Sequence, residues 1–132
     1  MKIESHKKKI ARFEKTIAKL DIREDSETLI EDYMLVSSHF INAAMHKLGT
    51  LKEDRDIKHN HLFGFVRREK SLRESSEEVA DLIQQIDQLR PSYVYGKGEN
   101  GDTAEKAKDA FDKIKQICSK IIENEREPKN SS

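Results

Sequence analysis

Apolar residues recur three and four positions apart in four stretches of this chain, the spacing that lines one face of an α-helix. The longest stretch, Glu27 to Gly49, carries two such stripes. Ile30, Met34, Ile41, Ala44 and Leu48 form one; Leu29, Tyr33, Val36, Phe40 and Ala43 form the other. A helix with one stripe lies on a surface, whereas two stripes bring neighbours onto both sides. Ser26 stands ahead of the stretch as an N-cap, no Pro interrupts it, and Gly49 closes it, which are start and stop signals. At ~1.5 Å per residue this predicts a helix of roughly 35 Å, the central helix of a bundle.

The other stretches arrange themselves around it. Ile3, Ile10, Phe13, Ile17 and Leu20 share one face of a first helix, with Lys7, Lys8 and Lys9 mostly on the other. Asp21 to Asp25 is a polar connection, and Thr50 to Asp56 a short charged one. Leu62, Phe63, Phe65 and Val66 cluster around Gly64 and predict a shorter helix within residues 57–70. Ser75 or Ser76 caps the next helix, whose buried stripe is Val79, Leu82, Ile83, Ile86 and Leu89; Glu77 and Glu78 favour its first turn. Pro91 ends or kinks that helix, and Ser92 to Tyr95 can add a further turn. Gly96 to Gly101 reads as a loop. Asp102 or Thr103 then starts the last helix, where Ala104, Ala107, Phe111, Ile114, Cys118 and Ile121 make the cleanest stripe of the chain. Glu127 to Ser132 has no apolar residue and reads as a frayed tail. The expectation is one all-α domain, residues 1–125, folded as a helical bundle around that central helix, with residues 126–132 as its tail.

Composition agrees with that picture. A chain of 132 residues suffices for one core. The 25 basic side chains balance 25 acidic ones overall but not locally. Residues 1–20 carry a net charge of +5 and residues 21–32 a net charge of −5, two blocks that can pair in the fold. One Cys allows no internal disulfide, and Cys118 falls in the apolar stripe as a buried thiol. No run reaches transmembrane length and no apolar signal core opens the chain, so a cytoplasmic protein without membrane contact is expected.

Candidate chemistry is confined to a few places. GKGENG, residues 96–101, matches the dinucleotide glycine pattern by letter, but no buried strand precedes it, so the pattern lacks its βαβ setting. Lys97 and the helix start behind it remain a candidate phosphate site. His39 and His46 lie seven apart on one helical face with Asn42 between them, and His59 and His61 follow. The polar strip of Ser38, His39, Asn42 and His46 can line a cleft or a dimer seam. No H-x-x-x-H pair and no Cys cluster supplies three or four converging ligands, so neither a metal nor a cofactor is expected.

Arg55, Asp56 and His61 form an R-x5-H spacing with a polar residue after the Arg. An imidazole can move a proton near neutral pH, and a guanidinium can hold a phosphate and the charge developing on it. Those two roles suffice for metal-free cleavage of RNA by its 2′-hydroxyl. The spacing is weakly specific, given eight Arg and five His in the chain. On one continuous helix the two residues would stand about 240° apart, so convergence requires Arg55 in the loop before the helix, or a second copy of the chain.

The layout DYMLVSSHFINAAMHKLG, then HNHLFGFVRREKSL, then LRPSYVYGKGENG before a last amphipathic helix resembles the HEPN superfamily of small prokaryotic all-α proteins. The resemblance covers residues 8–122. It implies an all-α, up-and-down bundle of four to five helices, usually a homodimer, and binding of a nucleotide, RNA or a protein partner of nucleotidyltransferase type. In many members an R-x4–6-H motif at the dimer cleft makes a metal-independent ribonuclease, often a toxin of a toxin–antitoxin pair; others have no assigned activity. Arg55, Asp56 and His61 match that motif, although in the family it usually opens a late helix. Arg90 with Tyr93 or Tyr95 matches the Arg and Tyr that commonly precede the last helix. The expected binding residues are thus His39, Asn42, His46, His59, Arg90, Tyr93 and Lys97. A structural or assembly bundle is the third reading of the same pattern.

Overall fold

A computed structural model describes residues 1–94 and 100–124, with backbone alone for 91–94, 100 and 101. Among the described residues five α-helices follow one another: α1 (Ile3–Ile17), α2 (Ser26–Leu48), α3 (Leu62–Glu69), α4 (Ser76–Val94) and α5 (Asn100–Ile122). Short 3-10 turns at His59–His61 and Arg73–Ser75 introduce α3 and α4. No strand occurs among the described residues, whose five helices form an all-α bundle.

Helix α2 is central because its two stripes leave it no solvent face to speak of. It packs most extensively on α5, then on α1 and α4, while α3 lies on α4. Ile30, Met34, Val36, Ile41, Ala43, Ala44 and Met45 are fully buried. At ~25 cal/mol per Å² of apolar surface, such a helix contributes several kcal/mol to folding by burial. One chain therefore covers both stripes, and Met1 is the only exposed large hydrophobic among the described residues.

Boundaries differ in instructive ways. Ser26 is the first helical residue and not the cap; Asp25 holds that position without a side-chain cap bond. Its carboxylate is spent on the Asp21 N–H, 2.8 Å away, within the preceding turn. At the other end Gly49 adopts φ 78°, ψ 10°, the left-handed conformation that glycine takes without a Cβ penalty. The Thr50 N–H then reaches the Met45 carbonyl, and the Thr50 hydroxyl donates to the Ser71 carbonyl at 2.7 Å. Helix α4 runs through Pro91 to Val94, and α5 starts at Asn100, two residues ahead of expectation. Ser76 Oγ accepts the Leu72 N–H at 2.8 Å, closing the turn before α4.

Among the described residues no ion pair joins the basic first block to the acidic second one. Glu14 binds Lys115 on α5 and Glu31 binds Arg90 on α4. The α3–α4 pair is tied by Arg67, which reaches Glu77 and Asp81. The expected tail and the remainder of the GKGENG loop lie outside the described residues.

Candidate functional site

Polar chemistry gathers where α1, α2 and the segment Gly49–Lys58 meet. Helical spacing puts His39, Asn42 and His46 on the face of α2 turned toward α1. Asn42 sets the loop against this face. Its Oδ1 accepts the Ile57 N–H at 2.8 Å, and its Nδ2 donates to the carbonyls of Ile57 and Ser38, each at 3.0 Å. The clamp makes Asn42 a backbone holder, 2% exposed, more than a group offered to a ligand. It also fixes the residue next door, Asp56.

Asp56 turns its carboxylate into a histidine cluster. Its Oδ1 lies 2.8 Å from His46 Nε2 and 3.0 Å from His6 Nε2. Its Oδ2 accepts from the Met1 amino group at 3.1 Å, which also donates to the Glu53 carbonyl. His46 Nδ1 is 3.0 Å from the Leu51 carbonyl, and His6 Nδ1 is 2.9 Å from His39 Nδ1. The His6 ring centroid stands 5.1 Å from that of His39 and 5.4 Å from that of His46.

Burial and proximity shift the protonation of this group. For Asp56, partial burial opposes the charge, but the bonds from His46, the Met1 amino group and His6 together outweigh it and hold the carboxyl below its ordinary range. Burial lowers His6, with Asp56 partly offsetting. Burial, then the neighbouring His6 and Lys9, push His39 down to about 4, so it is neutral at physiological pH.

Two hollows flank this cluster and share Asp56, Ile57, Lys58 and Asn60. The first, of about 590 Å³, is bordered by His6, Ser38, His39, Asn42, His59 and Arg90. Its size suits a small ligand. Arg90 is not a free cation there: Glu31 at 3.0 Å and Asp87 at 3.1 Å hold its guanidinium, and the Glu31 bond above all raises its pKa further. His59 is half-buried.

The second hollow, of about 490 Å³, is bordered by Arg55, His61, Phe63, Gly64, Phe65 and Arg68. Arg55 does sit in the loop before the 3-10 turn, and it and His61 are exposed on one hollow. Asp56, between them in the motif, instead turns its carboxylate to the histidines. Phe63 and Phe65 are half-buried, and the Arg68 guanidinium lies 5.9 Å from the Phe65 ring centroid.

Of the remaining expected residues, the Tyr93 side chain, Tyr95 and Lys97 lie outside what the structure describes. His6 was not among the expected residues at all. It had a signal: it falls three after Ile3 and four before Ile10, in the apolar stripe of α1, and it is 1% exposed. A lone polar residue inside a helical stripe must find partners, and His6 finds two. Cys118 is buried as expected, and burial raises its thiol far from reactivity. No protein-family model, no curated protein and no solved structure matches this chain.

Proposed function

We propose that this chain is a small HEPN-like homodimer that binds RNA, through the hollow that α3 and the loop before it enclose. The observation that carries this reading is the composition of that hollow. Arg55, Lys58, His61 and Arg68 surround it, with Phe63 and Phe65 beside them. Cations interleaved with aromatic rings suit a single strand, since the cations meet phosphates and the rings stack on bases irrespective of sequence. The one carboxylate on the rim, Asp56, is engaged by the histidines.

Gly64 supports the same reading. It is the third residue of α3, and inside a helix glycine costs up to about 1 kcal/mol relative to alanine. A Cβ there would meet nothing within 4 Å, so packing does not require the glycine. A bare backbone among the residues that border the hollow lets a ligand approach closely.

The test is anisotropy of a labelled single-stranded RNA in EDTA. Binding should weaken with salt, with a log–log slope of roughly −0.7 per phosphate neutralised. Arg55→Ala and Arg68→Ala should each reduce both affinity and slope. Salt-independent binding, or unchanged binding in both variants, would sink the reading.

A second reading, a metal-independent HEPN-type endoribonuclease of a toxin–antitoxin pair, is favoured by one specific observation: Arg55 and His61 border the same hollow. Incubation with total RNA in EDTA decides it. Cleavage by the wild type, abolished in Arg55→Ala and in His61→Ala with melting curves unchanged, makes it an enzyme. Binding without cleavage leaves a binding module, with a nucleotidyltransferase-type protein as its natural partner under the resemblance.

A further inference from the structure

The hydrogen-bond polarity of the histidine cluster does not close by itself. The Leu51 carbonyl can only accept, so His46 Nδ1 must carry a proton to meet it at 3.0 Å. In a neutral imidazole that leaves Nε2 as a lone pair. This lone pair faces a carboxylate oxygen of Asp56 at 2.8 Å. Two acceptors at that separation require a cation: a second proton on the ring, or a metal ion.

His6 takes the same arrangement in one of its two neutral tautomers: with Nδ1–H donating to His39 Nδ1 at 2.9 Å, its Nε2 is a lone pair aimed at Asp56 Oδ1, 3.0 Å away. In the other tautomer His39 donates to His6, and His6 Nε2–H donates to Asp56. The three atoms all lie within 4.8 Å of one another. An ion about 2.1 Å from each of two ligands sets them about 3.0 Å apart at right angles and about 3.4 Å apart in a tetrahedron. The two separations to Asp56 Oδ1, 2.8 and 3.0 Å, need to open by a few tenths of an ångström, and the two imidazole nitrogens, within 4.8 Å of each other, need to settle at that same spacing.

We propose that His6 Nε2, His46 Nε2 and Asp56 Oδ1 form a binding site for a divalent transition metal of the zinc class, with a coordination position open to the 590 Å³ hollow. The surroundings are those of metal-ligating imidazoles, whose second nitrogen is held by a carbonyl or another acceptor that fixes the tautomer. The Leu51 carbonyl does this for His46, and His39 does it for His6. Two imidazoles and one carboxylate suit zinc, and also cobalt, nickel or ferrous iron, better than calcium or magnesium. Three protein ligands with a position left for water or a substrate atom is the pattern of zinc sites that do chemistry. The ion would also clasp α1, α2 and the Asn42-clamped loop together. Sequence spacing concealed the site because each ligand comes from a different element. The proposal is independent of the RNA reading, which concerns the other hollow and is tested in EDTA.

The experiment uses tag-free full chain, stripped with chelator and dialysed. Cobalt titration is followed by visible absorption and zinc titration by calorimetry. The expected result is one equivalent per chain, with a melting midpoint raised by roughly 5–10 °C at a hundredfold excess over Kd. Asp56→Asn and His46→Gln should each weaken binding by about a hundredfold or more, and His39→Gln, a positioning variant, by about tenfold. His61→Gln, outside the set, should bind as the wild type does. Circular dichroism confirms that each variant is helical; Asp56→Asn, at a partly exposed side chain, serves if His46→Gln does not fold. No binding by the wild type at ~100 μM metal, or equal affinity in folded Asp56→Asn, overturns the proposal and leaves a proton as the cation of the cluster.

Discussion

Asn42→Ala tests how the site is held in place. The side chain satisfies both backbone groups of Ile57, accepting at 2.8 Å and donating at 3.0 Å. Ile57 itself is 8% exposed, and the substitution orphans its N–H and its C=O together. A buried group left unsatisfied costs about 1–3 kcal/mol, so two give about 2–6 kcal/mol. The Ser38 carbonyl keeps its ordinary helical partner, the Asn42 N–H, and adds little. Asn42 borders the larger hollow, from which water can reach part of the exposed backbone, so the loss should fall in the lower half, about 2–3 kcal/mol. That is a large fraction of a typical domain's stability of about 5–15 kcal/mol. Urea melts with an unchanged m-value measure it, and hydrogen exchange at the Ile57 amide localises it. Asn42→Asp adds a control, because its carboxylate would still accept the N–H but would face two carbonyl oxygens. It should be at least as destabilising at pH 7 and should recover on protonation. A loss under about 0.5 kcal/mol for Asn42→Ala, with Ile57 protection intact, would refute the clamp.

Other outcomes follow from particular contacts. Phe111→Ala should cost about 3–5 kcal/mol, because Phe111 is 5% exposed and packs on the rings of Tyr33 at 5.3 Å and Phe40 at 6.0 Å; a chemical melt showing less than about 1 kcal/mol would mean α5 is not core. Gly64→Ala should stabilise the fold by roughly 0.5–1 kcal/mol while weakening RNA binding, and a destabilised variant would contradict the open space around that position. With chelator present, stability should fall on acidification. The His39 value is about 4 in the fold against about 6.5 unfolded. Between those values the unfolded chain binds more protons, so stability is lost as pH falls through this window and levels off below it. Discounted for the half-exposed ring, the loss is about 1–2 kcal/mol, and His39→Gln should flatten the profile between pH 6.5 and 4. Sedimentation at micromolar concentration should give a dimer of twice the 15.3 kDa chain mass; a single 15.3 kDa species would remove the homodimer from the proposed function.

Helix periodicity and the central place of α2 were legible in the sequence because both depend on local spacing. An apolar stripe declares its buried face wherever its partners come from, and Phe111, Ile114 and Cys118 are buried as their register requires. The left-handed end at Gly49 is local in the same sense. Exact starts were less legible: Asp25 rather than Ser26 holds the cap position of α2, and its carboxylate is taken by the Asp21 N–H of the preceding turn. The shared face of His39, Asn42 and His46 was also readable, and so was the loop placement of Arg55. What their side chains do was not. That Asn42 holds Ile57, and that His46 meets Asp56 with His6 arriving from 40 residues upstream, depends on how α1 lies across α2 and how residues 50–58 fold back. Those are long-range contacts with no periodic trace in the chain. The same holds for the coverage of α2: two apolar stripes specify neighbours on both sides, but only the tertiary packing decided that α1, α4 and α5 of one chain supply them.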